Sequence, residues 1–160
     1  MNELQCRLVQ PEDHTFLFQL FCSVREQEVS SWGWAEEQLQ AFLQLQWSAS
    51  QASYRMQFPN ALHQLILHNQ TPIGQFLLHK TNTHVHLVDF SIVPAYRNQG
   101  IGTHIIKLLQ TDAEQLQLPI ILNVMQGNIA SRLYERLGFQ FTNNEDPLYR
   151  RMKWLPRQSA

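Results

Sequence analysis

From Asp89 to Thr103 the sequence DFSIVPAYRNQGIGT ends an apolar, strand-like run, turns, and begins a helix within a few residues. At such a turn the first N–H groups of the helix have no partner inside it, and the aligned peptide dipoles add a partial positive charge. Gly100 and Gly102 remove the side chains that would hold a phosphate at a distance. The chemistry this arrangement suits is binding of a phosphate or pyrophosphate. No Gly-Lys-Ser/Thr follows, so the turn is not a Walker loop, and Ile105 stands where the third glycine of a dinucleotide fingerprint belongs. A Gly-x-Gly by itself is equally compatible with a plain tight turn.

A second segment, LNVMQGNIASRLYERLGF from Leu122 to Phe139, raises the weight of the first. Taken in order, Arg97-Asn98-Gln99-Gly100-Ile101-Gly102, then Asn128-x-Ala130 with Tyr134-Glu-x-x-Gly138-Phe139, resemble the two acetyl-CoA motifs of the GNAT family of N-acetyltransferases. The resemblance covers residues 60 to 155; the strand and two helices before them fit the family in architecture only. The segment GWAEEQLQAFLQLQW, with Tyr54 and Phe58-Pro59 after it, is similar to a subgroup encoded near phage structural genes, a likeness that names no substrate.

The resemblance implies an enzyme that uses acetyl-CoA as co-substrate and acylates an amine by direct attack. It places the pantetheine arm in a cleft where parallel strands ending near Val93 and beginning near Ile120 splay apart. Backbone groups of Ile92 and Val93 would pair with the pantetheine amides as an added strand pairs with a sheet edge, and one of their N–H groups would hold the developing oxyanion. The diphosphate would rest on N–H groups of Asn98, Gln99, Gly100, Ile101, Gly102 and Thr103, with the Arg97 guanidinium as an addition. Asn128 and Ala130 fit both a helix start and a CoA contact. Tyr134 is the expected general acid for the departing thiolate; the plainer reading of the same residue is a packed ring. Asp89 is the first candidate for the base, with a water or an already neutral amine as alternatives. The rival reading of the whole chain is a non-catalytic acyl-CoA-binding sensor or interaction module of the same fold.

His79, His84 and His86 sit on one hairpin, but no Cys or carboxylate cluster completes a metal site there, and none is expected. Trp32, Trp34, Phe42, Trp47 and Tyr54 make the first helical region aromatic. In the family this region lines the acceptor cleft, although helical spacing assigns most of these rings to the core.

The elements that must position these residues follow from periodicity. Leu4, Cys6 and Leu8 alternate as a half-buried strand; Phe16, Leu17, Leu20, Phe21 and Val24, then Leu39, Phe42, Leu43 and Trp47, recur at helical spacing. HQLILHN, PIGQFLLHKT and HVHLVDFSIV read as strands joined by short turns, hence hairpins. Ile101, Ile105, Leu108, Leu109 and Leu116 mark a long helix before Pro119, Ile120 to Val124 a buried strand, and Ile129, Leu133 and Leu137 a helix closed by Gly138. Phe139 to Phe141 and Leu148 to Trp154 finish as strands. The order βααβββαβαββ predicts an α/β (α+β) fold: a mixed, mostly antiparallel sheet of seven strands flanked by four helices, with one parallel pair across the third helix.

At 160 residues, with 44% hydrophobic and 16% charged side chains, the chain suits one globular domain, expected over residues 1–156 with a tail at 157–160. A net charge of −1 without basic runs argues against a nucleic-acid partner. No 18-residue apolar run or signal-like start occurs, so no membrane role and a cytoplasmic location are expected, as monomer or homodimer, with Cys6 and Cys22 reduced in the core.

Overall fold

Asn69 and Gln70 both adopt positive φ, 49° and 70°, the backbone of a tight two-residue hairpin turn between Leu62–His68 (β2) and Thr71–Lys80 (β3). The short connector read from the sequence is therefore a hairpin. The computed structural model describes residues 3–143 and 146–158. Before the hairpin come β1 (Leu4–Leu8), α1 (His14–Ser30) and α2 (Glu36–Gln57). After it come β4 (Val85–Ile92), α3 (Ile101–Leu116), β5 (Ile120–Met125), α4 (Ala130–Arg136), β6 (Gln140–Phe141) and β7 (Tyr149–Trp154). The strands form a seven-stranded sheet in the order β1-β2-β3-β4-β5-β7-β6. Its β4–β5 pair is parallel, registered Val85 to Ile120, His86 to Ile121 and Leu87 to Leu122. Antiparallel pairing joins β1 to β2 and β5 to β7 to β6. Among the described residues, the mixed, mostly antiparallel sheet with four α-helices is the architecture expected from the element order.

The chain divides into two compact units, Met1–Leu77 with Asp89–Tyr96 and Leu78–Val88 with Arg97–Ala160. In the first, Leu17 of α1 packs with Leu65 and Leu67 of β2, and Phe16 and Trp47 close the edges of that cluster. The entry to α1 is fixed by Arg7, whose guanidinium donates to both oxygens of Asp13 at 2.8 and 3.0 Å. This fork, with a further donation from the Gln10 N–H, holds the Asp13 carboxyl down to about 2.

β1 departs from expectation: Cys6 is exposed and Leu8 is 52% exposed. As the first strand in the sheet order it has a neighbour on one side only, so alternation on it does not guarantee a covered face. Cys22 is partly buried, and both thiols are free.

In the second unit α3 buries Ile101, Ile105, Ile106, Leu109 and Ala113, a stripe of helical period, while Leu108 and Leu116 lie outside it and are about half exposed. β5 contributes Ile120, Leu122 and Val124, and β7 contributes Met152, all buried. The segment after β7 is tied to α3, where Glu114 Oε1 accepts from the Arg157 N–H at 2.8 Å and Gln117 donates to the Arg157 carbonyl. The helix expected to bury Ile129 begins one residue later, at Ala130, and leaves Ile129 72% exposed; its buried residue is Tyr134.

Candidate active site

The first unit carries a polar chain across three strands. His63 on β2 donates from Nε2 to Gln75 Oε1 on β3 at 2.8 Å. The Gln75 amide nitrogen donates in turn to Asp89 Oδ2 at 3.1 Å and Ser91 Oγ at 2.8 Å on β4. Because a carboxylate accepts and cannot donate, its contact with the nitrogen fixes the amide orientation, which makes His63 the donor. Gln75 is buried, and these partners satisfy it.

Burial pushes the Asp89 carboxyl above the usual carboxylate range, and the Gln75 hydrogen bond and the Arg25 charge pull part of the way back. Burial also lowers His63 and favours its neutral ring, with the Gln75 hydrogen bond and the Asp89 charge acting the other way. These groups border a cavity of about 270 Å³ walled by Leu20 and Phe21 of α1 and Trp47 and Tyr54 of α2. A carboxylate that is poorly solvated and held by the Gln75 amide and the Phe90 N–H suits proton abstraction from a small ligand in that cavity.

Of the aromatic residues singled out in the sequence, Trp47 and Tyr54 line this cavity. Trp47 also packs against His14 and Phe18 at 5.7 and 5.5 Å. Trp32, Trp34 and Phe42 instead pack on one another at 5.2 to 5.4 Å, and the two tryptophans stay 38% and 45% exposed, outside the core.

Ile92 and Val93 follow Asp89 and Ser91 on the same strand end. The Val93 N–H donates to the Ile73 carbonyl of β3 at 2.8 Å, and the Val93 carbonyl accepts from Tyr96. Successive strand residues direct their N–H groups to opposite edges, so the Ile92 N–H faces the edge of β4 away from β3. Gly74 makes this geometry possible: a Cβ there would lie 2.6 Å from the Ser91 carbonyl oxygen and 3.3 Å from the Ile92 Cα. An isolated glycine inside a strand pattern signals close backbone approach, and that signal was available in PIGQFLL.

The second unit holds the glycine turn. Asn98 (φ 62°) and Gly100 (φ 82°) are left-handed, and Gly100 caps α3 with no side-chain hydrogen bond. The first bond of the helix runs from the His104 N–H to the Gly100 carbonyl at 3.0 Å, so the N–H groups of Ile101, Gly102 and Thr103 precede its ladder. Arg97 to Gly100 are exposed, and a Cβ built on Gly100 meets nothing within 4 Å. The open space above an uncapped helix start fits a phosphate.

Downstream, Asn128 Oδ1 accepts from the Ala130 N–H at 2.9 Å and begins α4. That helix closes on Gly138 (φ 95°), with Phe139 N–H donating to Tyr134 O and Gly138 N–H to Glu135 O. This is a Schellman cap, and it seats the buried Tyr134 ring against Phe139. The motif spacing from Tyr134 to Phe139 is thus the spacing of a helix end.

His79, His84 and His86 also lie in the second unit; burial, then Arg151, then the other two histidines hold His86 down to about 4. Among the described residues no group of three or more His, Cys, Asp or Glu side chains is placed to hold a metal ion. None of the described helices is long and apolar enough to cross a membrane.

The model of the acetyltransferase (GNAT) family matches residues 17–139. The chain belongs to the GNAT family. Membership makes it an acetyl-CoA-dependent acyltransferase. No curated protein matches the sequence. Solved GNAT-type structures share the fold at low identity. PaiA N-acetyltransferase from Thermoplasma acidophilum, in complex with coenzyme A, is 16% identical with a TM-score of 0.72, over 96% of this chain and 99% of that one. The ribosomal-protein-S18-alanine N-acetyltransferase of Escherichia coli is 19% identical with a TM-score of 0.65, over 100% and 97%. Ard1 from Thermoplasma volcanium is 13% identical with a TM-score of 0.65, over 97% and 99%.

Within this GNAT chain, motif reasoning named the glycine turn, Asn128, Tyr134 and Asp89 as candidates, and it did not name His63, Gln75, Ser91 and Arg25, which line the cavity with Asp89. The available signal was Gln75, a lone polar residue in the apolar run from Ile73 to Leu78.

Proposed function

We propose that the chain is an N-acetyltransferase whose acceptor is a primary amine, with Asp89 as general base and Tyr134 as general acid. Acetyl-CoA supplies the acyl thioester. The ammonium ion gives one proton to Asp89 and becomes nucleophilic; its nitrogen forms a bond to the acyl carbon as the carbon–sulfur bond breaks, a second proton leaves nitrogen for solvent, Tyr134 gives one to sulfur, and Asp89 and Tyr134 return to their starting protonation by exchange with solvent between turnovers. The N–H groups of Asn98, Gln99, Gly100, Ile101, Gly102 and Thr103, with Arg97, hold the diphosphate. Ile92 and Val93 serve the pantetheine arm, and one of their N–H groups holds the oxyanion. Asn128 and Ala130 make the second contact.

The observation that carries the base assignment is the Asp89 carboxylate in the cavity, raised by burial and held by Gln75. An amine enters as an ammonium ion and needs an acceptor for its proton, and a carboxyl with a raised pKa lies closer to the working pH. We further propose that residues 1–156 work as one acyl-CoA N-acyltransferase domain with a tail at 157–160, as a monomer or homodimer in the cytoplasm.

The test is acetyl-CoA consumption across an amine library, preceded by thermal shift with CoA and acetyl-CoA. A ligand at about a hundred times its dissociation constant adds roughly 2.7 kcal/mol of stability, a shift of several degrees. A shift with acetyl-CoA and acylation of at least one primary amine are expected. No shift at any concentration would defeat the proposal.

A further inference from the structure

One face of α1 and one face of α2 wall the cavity in the first unit, and each ends in an arginine. On α1 the face runs Leu17, Leu20, Phe21, Val24, Arg25; on α2 it runs Trp47, Ser50, Gln51, Tyr54, Arg55, both at helical spacing. Arg25 is partly buried and held in a fixed pose: its guanidinium carbon lies 3.5 Å from the centroid of the Phe21 ring, and Nη1 donates to the Phe21 carbonyl at 3.4 Å. Among the described residues no carboxylate comes within 4 Å of either guanidinium to form an ion pair.

The charge inside the cavity is therefore lopsided. Two arginines and one carboxylate, Asp89, line it: Arg25 is partly buried and its charge acts on Asp89, Arg55 is exposed at the rim, and the His63 ring adds no charge when neutral. A bare ammonium ion meets net repulsion in such a site. An amine that also bears a carboxylate does not: its amine end is drawn to Asp89 and its acid end to the arginine. A guanidinium presents a rigid planar fork that matches a carboxylate with two parallel hydrogen bonds, and the ring beneath Arg25 orients that fork. The cavity volume, about 270 Å³, lies just below the range usual for drug-sized ligands and matches a small acceptor.

We infer that the acceptor is a small amino acid or similar amino carboxylate, with Arg25 as the carboxylate-binding residue and Arg55 as a second cation at the rim. This deepens the amine-acceptor reading and rests on it for the transfer step, but binding is testable without transfer.

The full chain is titrated calorimetrically with a panel of amino carboxylates of graded length, aliphatic and aromatic, each paired with its own methyl ester, which keeps the amine and removes the negative charge. The same panel is then run in the acetyl-CoA consumption assay. At least one free acid is expected to bind about ten- to a hundredfold more tightly than its ester, the size of a hydrogen-bonded charge pair. Arg25→Met, which keeps the apolar stem over Phe21, is expected to erase that ratio; Arg25→Lys keeps part of it, and Arg55→Met lowers it less. Circular dichroism confirms that each variant is folded, and if Arg25→Met is not, the comparison of wild type with Arg25→Lys decides. Equal or tighter binding of every ester, failure of all acids to bind, or an acid-to-ester ratio untouched by the Arg25 variants overturns the inference. If the acids bind with an Arg25-dependent ratio but no amine is acetylated, the transfer reading fails and the carboxylate site stands. If esters are acetylated as readily as acids, amine transfer stands and the carboxylate site falls.

Discussion

The rings of Tyr134 and Phe139 meet edge-on, 5.7 Å between centroids and 62° between planes, while the Phe139 N–H donates to the Tyr134 carbonyl at 3.0 Å. One helix cap thus fixes both the backbone and the ring of the proposed acid. Tyr134→Phe keeps that ring contact and removes only the hydroxyl. Turnover is expected to fall by about 10²- to 10⁴-fold, with acetyl-CoA affinity little changed. Steady-state kinetics with calorimetry checks it; turnover within about threefold of wild type would reduce Tyr134 to a packing residue.

Gly100→Val is expected to abolish acetyl-CoA binding in a folded protein, because the branched side chain fills space above the start of α3. The substitution also strains a left-handed residue, at a cost of roughly 1 to 2 kcal/mol. Gly33 controls for this, since it too has positive φ (71°) and nothing within 4 Å of an added Cβ. Gly33→Val should lose similar stability and keep its affinity. Unchanged affinity in Gly100→Val would show that the diphosphate lies elsewhere.

Asp89 acts as a base only when ionised, so kcat/KM is expected to rise with pH through its raised pKa and level off above it. Asp89→Asn should cost about 10²- to 10⁴-fold in rate. The Gln75 hydrogen bond lowers this pKa, so Gln75→Met is expected to move the acid limb to higher pH. A positioning residue that acted only on packing would lower the rate without moving the limb. A pH–rate profile of the three proteins separates the cases.

His86 titrates at about 4 in the folded chain against an ordinary 6.5, so the unfolded state binds more protons between those values. Its contribution to stability is whole above pH 6.5 and is lost as the pH falls toward 4. His63 is lowered in the same direction, and Asp89, raised, works in the opposite one by stabilising the fold as pH falls. Melting temperature is therefore expected to drop less steeply across this window in His86→Gln than in wild type. Parallel curves for the two proteins would mean that His86 is not held neutral by the fold.

What the sequence determined by itself was local. The Gly138 cap, the Asn128 helix start, the positive-φ turn at Asn98 and Gly100 and the helical stripe of α3 depend on contacts a few residues apart, and residue type and spacing encode such contacts directly. The element order and the parallel β4–β5 pair followed from the same signals, because a strand–helix–strand crossover has one favoured geometry. The tertiary structure alone decided the cavity in the first unit. His63, Gln75, Asp89 and Ser91 are joined over separations of 12, 14 and 16 residues, and alternation gives each strand its faces without saying which residues stand opposite one another. Arg25 reaches the same cavity from α1, where its sequence context reads as an ordinary charge on a helix. Cys6 and Leu8 show the converse: their alternation promised a covered face, and the position of β1 at the end of the sheet order left them in solvent. Register and sheet position are set by which surfaces remain to be buried once every element has formed, and that is a property of the assembled chain.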